Sequence, residues 1–215
     1  MTKAVICDND GTLVFQTKEY IFRTVGETLS ELGLSADEKF AEDFWYCHGS
    51  NRDEIIESRL GINYTDFWKV FWKNDSPEER ARHTGVYDDV YALRNLREKG
   101  IKLGVVTGAL TEVANAEISK VLSKVQGLKF DSIVSNNPDA CIRQKPYPDS
   151  LLICLQDLGV KSNETIYVGN SKEDVDAARA AKVRPVVVLR EPIKRFKYGK
   201  SVKVISSLHE IESII

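Results

Sequence analysis

Five short apolar runs, at 3–7, 101–106, 131–135, 165–169 and 185–189, punctuate the chain and predict strands. The runs Ile101-Lys102-Leu103-Gly104-Val105-Val106 and Pro185-Val186-Val187-Val188-Leu189 are almost continuously apolar, the pattern of strands buried on both faces. Between the runs the apolar spacing becomes helical. Residues 88–99 carry Val90, Leu93 and Leu96 ahead of Lys99-Gly100, which reads as a helix end. Residues 111–125 carry Ile118, Val121, Leu122 and Val125 at i, i+3, i+4 and i+7, and 149–158 and 172–182 also read as helices. Alternation of this kind predicts an α/β fold, a Rossmann-like parallel sheet flanked by helices on both faces.

One stretch breaks the alternation. Residues 15–83 contain no convincing strand pattern and several helical ones. Ile21, Val25, Leu29 and Leu32 form one stripe, and Ile55, Ile56 and Leu60 mark another helix. Phe67, Trp68, Phe71 and Trp72 fall at i, i+1, i+4 and i+5, which predicts the interior of a small helical bundle rather than a ligand box. The expectation is an inserted all-helical cap at 15–83 within an α/β core made of 1–14 and 84–215. The insertion leaves the core beside Asp8 and Asp10, so it is placed to act as a lid.

Composition narrows the function classes. A hydrophobic fraction of 42% and a charged fraction of 29% suit a soluble globular protein. A net charge of −2 argues against a dedicated nucleic-acid binder. No apolar run approaches a membrane span, so no membrane partner is expected. A strand begins within a few residues of Met1, so no secretory leader is expected and the cytoplasm is the simplest compartment. Cys7, Cys47, Cys141 and Cys154 are scattered, without zinc-type spacing, and read as reduced thiols. Arg190, Lys194, Arg195, Lys197, Lys200 and Lys203 make a basic stretch, either a solvated loop or a surface that draws in an anionic substrate. Oligomeric state is left open.

Candidate chemistry sits where the predicted strands end, the edge at which open α/β sheets bind ligands. In Ala4-Val5-Ile6-Cys7-Asp8-Asn9-Asp10-Gly11-Thr12 the first strand stops at two aspartates, and Gly11 permits the turn that brings Asp10 back over Asp8. Two carboxylates there can hold a divalent cation and do nucleophilic and acid–base work, although Asp-Asn-Asp-Gly is also ordinary turn chemistry. The second strand ends in Val106-Thr107-Gly108-Ala109, where a hydroxyl and unobstructed amides can donate to an anionic oxygen. In Arg143-Gln144-Lys145-Pro146-Tyr147-Pro148-Asp149 the prolines stiffen a loop and fix where Lys145 points; a cation there can neutralise a phosphoryl group. In Val168-Gly169-Asn170-Ser171-Lys172-Glu173-Asp174 a strand turns into a helix, and Ser171-x-x-Asp174 also reads as a capping box.

Acid pair, hydroxyl, lysine and acid, in that order at successive strand ends, resemble the four motifs of the haloacid dehalogenase-like hydrolases. The resemblance runs from about residue 3 to 190, and the helical insertion resembles the cap of the phosphoglycolate phosphatase and β-phosphoglucomutase branch. The chain departs from the family pattern at Asn170, where aspartate is usual; asparagine keeps an oxygen but loses a charge, which predicts weaker cation binding.

The resemblance implies a Mg²⁺-dependent phosphatase of a small phosphorylated metabolite that works through an aspartyl-phosphate. Asp8 is then the nucleophile, Asp10 the general acid and base, and Thr107 and Lys145 hold the phosphoryl oxygens with the amides of Gly108 and Ala109. Asp8, the carbonyl of Asp10, Asn170 and Asp174 would hold the Mg²⁺. His48-Gly49-Ser50-Asn51-Arg52 resembles the cap segment that reaches the site in relatives, so Arg52 can pair with an anionic substrate group or simply lie exposed at a helix start. Retention of Asp10 favours phosphate over halide chemistry. The alternatives are a phosphomutase acting on a sugar phosphate and a catalytically weak regulatory protein that binds phosphate or Mg²⁺.

Overall fold

The computed structural model describes every residue except 36, 47–50, 138–141, 192–197 and 199–200. Cys47, Cys141, the segment His48-Gly49-Ser50, and Lys194, Arg195, Lys197 and Lys200 of the basic stretch therefore lie outside the described residues.

Six parallel strands form the main sheet: β1 (Ala4–Cys7), β4 (Lys102–Leu110), β5 (Ser132–Asn136), β6 (Thr165–Gly169), β7 (Arg184–Val188) and β8 (Lys203–Ile205). Their spatial order is β5-β4-β1-β6-β7-β8, which puts β1 in the middle. In register, Cys7 stands beside Val105 and Val168, so three consecutive strands deliver their carboxyl ends to one place. Every residue of β1 is buried. Val5 and Cys7 point to one face, into an interior shared with Leu93 and Leu96 of α6 (Tyr91–Glu98) and Val121 of α7 (Thr111–Lys124). Ala4 and Ile6 point to the other, against Leu151 and Leu155 of α8 (Asp149–Leu158) and Ala177 and Ala178 of α9 (Lys172–Ala180). The near-continuous apolar strands thus have helices on both faces, for the reason read from their sequence.

A second sheet is only a hairpin-like pair. β2 (Val14–Gln16) and β3 (Thr84–Val86) run antiparallel at the two ends of the helical stretch. Three-residue strands are too short to show a period, which is why the pattern of apolar positions passed over them, as it passed over β8. Between them lie α1 (Lys18–Glu31), α2 (Glu38–Trp45), α3 (Arg52–Leu60), α4 (Tyr64–Asn74) and α5 (Pro77–His83). Helices α1 to α4 have an apolar interior of their own, built on Tyr20, Ile21, Phe40, Phe44, Ile56, Phe67 and Phe71. Side-chain caps start the helices: Thr17 accepts from the Tyr20 amide, Asp37 from Phe40 and Asn51 from Glu54. The aromatic stripe of α4 divides. Phe67 and Phe71 are buried as its spacing predicts, whereas Trp68 and Trp72 are only partly covered. Among the described residues no helix is long and apolar enough to cross a membrane.

Candidate active site

β1 hands its last pairing to Asp8, whose amide donates to the Val168 carbonyl at 2.8 Å. The chain then turns sharply. The Asn9 carbonyl accepts from the amides of Thr12, Leu13 and Val14, and Gly11 takes a φ of 72° that side chains resist. This turn leaves the Asp8 carboxylate buried at the sheet edge and 20% of the Asp10 side chain exposed. Lys145 reaches across from the loop before α8, with Nζ 2.6 Å from Asp8 Oδ1 and 2.7 Å from Asp174 Oδ1. Thr107, at the end of the apolar part of β4, is buried, and its Oγ1 accepts from the Ala109 amide at 3.2 Å; among the described residues its hydroxyl proton has no acceptor and can be offered to an anion.

The fourth segment does two jobs at once. Ser171 caps α9: its Oγ accepts from the Asp174 amide, and its own amide donates to Asp174 Oδ2 at 2.9 Å. Asp174 Oδ2 also accepts from the Asn170 amide and the Ser171 hydroxyl, while Oδ1 accepts from Lys145 and the Tyr167 hydroxyl. Asp174, expected as a cation ligand, thus receives five protein donors on its two oxygens, and through them it orients Lys145 and closes the turn. Gly169 makes room for it, because a Cβ there would lie 2.4 Å from the Asp174 carboxyl carbon. The α9 cap falls to Ser171 and leaves the Asn170 side chain for another use. Its amide end lies 2.9 Å from the Asp10 carbonyl and 3.2 Å from both Asp8 Oδ2 and Thr12 Oγ1. Turned nitrogen inward, it donates to them; turned oxygen inward, it completes a convergent set of oxygens with Asp8 Oδ2 and the Asp10 carbonyl.

Burial sets the electrostatics. It pushes the Asp8 carboxyl up to about 7, helped by the charge of Asp174 and opposed by Lys145. Burial works against the charge on Lys145, but Asp174 and Asp8 outweigh it and hold the ammonium above its ordinary range. Asp174 is likewise opposed by burial, yet Lys145 and Ser171 keep it below the usual carboxylate value.

Sequence reasoning missed a buried ionic network behind Asp10. Arg80 of α5 puts NH2 2.9 and 2.8 Å from the two oxygens of Asp10, Nε 2.7 Å from Glu117 and NH1 3.1 Å from Asp75. Glu117 also accepts from Asn9 and Gln16, each at 2.6 Å, and Asp75 accepts from the Tyr20 hydroxyl. Burial pushes the Glu117 carboxyl up to about 8 even with Arg80 pulling the other way. Arg80 stands in a run, Pro-Glu-Glu-Arg-Ala-Arg-His, that reads as an exposed helix, so nothing flagged it. Glu117 did carry a signal: it lies four residues from Val113 and Val121, on an otherwise apolar stripe.

Asp8, Asp10, Arg52, Thr107, Gly108, Ala109, Lys145 and Asn170 all line one cavity of about 480 Å³; Asp174 stands behind Lys145 and does not. Arg52 is already engaged. Its amide and NH1 bind the Glu173 carboxylate at 2.8 and 3.0 Å, and NH2 donates to the Trp45 carbonyl. Of the basic stretch, Arg190 is buried rather than solvated: it forks onto Asp89 at 2.8 Å and donates to the Thr12 carbonyl, bracing the Asp8–Thr12 turn.

Comparison with known proteins gives the family and the fold. The family model described as haloacid dehalogenase-like hydrolase matches residues 5–188. A phosphoglycolate phosphatase of Aquifex aeolicus is 27% identical over 190 residues, covering 87% of this chain and 84% of the relative. The crystal structure of CbbY from Rhodobacter sphaeroides in complex with phosphate superposes with a TM-score of 0.72 at 21% identity, covering 98% of this chain and 96% of that one. That of a HAD phosphatase from Thermococcus onnurineus gives 0.65 at 25% identity, covering 99% and 97%. The chain belongs to the haloacid dehalogenase-like hydrolases, in the branch that includes the phosphoglycolate phosphatases. It is an enzyme of the phosphatase kind, with the parallel sheet and flanking helices expected of it.

Proposed function

We propose that the protein hydrolyses a small phosphate monoester through a phosphoaspartate on Asp8, with a divalent cation, and that residues 15–83 serve as the cap over the site. The observation that carries the reading is the position of Asp8, with Lys145 2.6 Å from one carboxylate oxygen, in a cavity that Thr107 and Gly108 also line. Lys145 and Thr107 hold the non-bridging oxygens of the phosphoryl group and turn phosphorus toward Asp8. The Asp8 carboxylate attacks phosphorus as the bond to the leaving oxygen breaks, and Asp10 delivers the proton which that oxygen needs. Asp10 then takes a proton from the water that attacks the phosphoaspartate, releasing phosphate and restoring Asp8. Arg80 grips both oxygens of Asp10 and fixes where that carboxyl points.

The residues fit a small, hard dication. Asp8 Oδ2, the Asp10 carbonyl and the inward atom of Asn170 stand 2.9 to 3.2 Å apart along the measured pairs. Neighbouring oxygens of an octahedral Mg²⁺ shell, each about 2.1 Å from the ion, are separated by about 3 Å. These three groups would hold the ion, with Asn170 oxygen inward. Mg²⁺ there supplies positive charge that offsets repulsion between the Asp8 carboxylate and a phosphate dianion.

Steady-state release of phosphate from 4-nitrophenyl phosphate, with Mg²⁺ and with chelator, tests the reading together with Asp8→Asn. Turnover should need the cation and fall at least about a thousandfold in Asp8→Asn. Turnover by Asp8→Asn close to that of the unaltered chain would remove Asp8 as nucleophile.

A further inference from the structure

The cavity is far larger than its phosphate end requires. A volume of about 480 Å³ lies within the range that holds drug-sized ligands, and a two-carbon phosphate would occupy only its floor. The outer part is walled by aromatic rings. Trp68 and Trp72 of α4 stack on each other, centroids 6.0 Å apart and planes at 24°, and the Trp68 Nε1 donates to Asp53 at 2.8 Å, which fixes the shelf. Tyr147, two residues after Lys145, also lines the cavity and is 52% exposed, with the Arg143 guanidinium over its ring at 4.6 Å.

The charged groups around this outer part are mostly committed to one another. Arg143 forks onto Asp149, Arg52 onto Glu173, and Asp53 accepts from Trp68; Lys69 is solvent-exposed beside Asp66. A flat ring would find aromatic faces fixed in advance and opening onto the same cavity as Asp8 and Lys145.

Resting on the phosphatase reading above, we infer that the substrate is a phosphate monoester whose leaving alcohol carries a flat aromatic ring, seated against Trp68 and Trp72. Nucleoside monophosphates and phosphorylated hydroxymethyl-pyridines both answer that description. The phosphate goes to Lys145 and Thr107 while the ring takes the indole shelf. Only the alcohol's identity is being assigned; bond making and breaking are those of the hydrolysis already described.

The decisive comparison is kcat/KM for adenosine 5′-monophosphate against ribose 5-phosphate, which share the ester and differ by the base. Pyridoxine 5′-phosphate and 2-phosphoglycolate run alongside. The ring-bearing esters should exceed ribose 5-phosphate by about tenfold or more, the scale of one stacking contact, and the better of the two identifies the source. Trp72→Leu, which keeps apolar bulk, should collapse that ratio toward one. Equal values for adenosine monophosphate and ribose 5-phosphate, with pyridoxine phosphate no better, would overturn the inference, as would 2-phosphoglycolate as the best substrate. Binding is read separately, from quenching of tryptophan fluorescence in Asp8→Asn by the same compounds. Quenching by the ring-bearing esters alone, with no ester turned over, would keep the ring site and remove the phosphatase reading; no quenching by either would remove the ring site.

Discussion

Asn170→Asp is the substitution whose consequence differs most between a cation site and a helix cap. Without a cation, the unaltered amide can turn nitrogen inward and donate to the Asp10 carbonyl at 2.9 Å and to Asp8 Oδ2 at 3.2 Å. Aspartate has no hydrogen to give. It loses two hydrogen bonds, about 1 kcal/mol each with more for the charged acceptor. It also sets a carboxylate about 3.2 Å from Asp8 Oδ2, a repulsion of about 5 kcal/mol at an effective dielectric of about 20. The pair can escape much of that by sharing one proton, so the cation-free protein should lose about 2–5 kcal/mol. For a chain of 215 residues each kcal/mol moves Tm by about 2–4 °C, which makes the loss readily visible in a melt. Saturating Mg²⁺ should reverse the order. The added carboxylate then faces a dication, and Mg²⁺ Kd by calorimetry should tighten at least about tenfold. The assay is a pair of thermal melts, chelated and with Mg²⁺, plus the calorimetric titration. Identical melts and equal Kd would refute the reasoning, and Asn170 would then be a residue of the turn and nothing more.

Three further outcomes follow from groups outside that triangle. Arg80→Gln leaves Glu117 and Asp75 buried without their cation and should cost about 3–5 kcal/mol in urea unfolding; a loss under 1 kcal/mol would mean the network contributes little net stability. Asp89→Asn should cost about 2–3 kcal/mol at neutral pH, because Arg190 is buried against that carboxylate. Burial opposes ionisation of Asp89, but Arg190 and the Leu208 amide hold it below the usual carboxylate range. A depressed carboxylate contributes stability above its unfolded pKa of about 3.9 and loses it as pH falls through the folded value, so the gap between the two proteins should close below about pH 4; a gap constant from pH 7 to 3 would contradict this.

How much of this was legible in the sequence depended on whether a residue's role is local. β6 and α8 were read to the residue, because an apolar run or a helical stripe is a property of consecutive positions. The four strand-end segments were legible for the same reason, each being a few adjacent residues with the right chemistry. What stayed hidden is what depends on partners distant in the chain. Arg80 reaches Asp10 across 70 positions, and Arg52 reaches Glu173 across 121. Neither pair leaves a local mark, since an arginine in a polar helix looks solvated whichever way it points. Asp174 shows the opposite case. Its sequence context offered both a ligand and a helix cap, and the convergence on it of Lys145 and Tyr167, from distant segments, together with the turn's own donors shows only in the fold. The aromatic stripe of α4 shows why spacing alone under-reads a helix that stands between an interior and a cavity. Phe67 and Phe71 share one face, and Trp68 and Trp72 the face one residue on, about 100° around the axis. The period fixes that angle, but it cannot say that the second face looks onto the cavity floored by Asp8, because that is set by how α4 sits over the sheet edge.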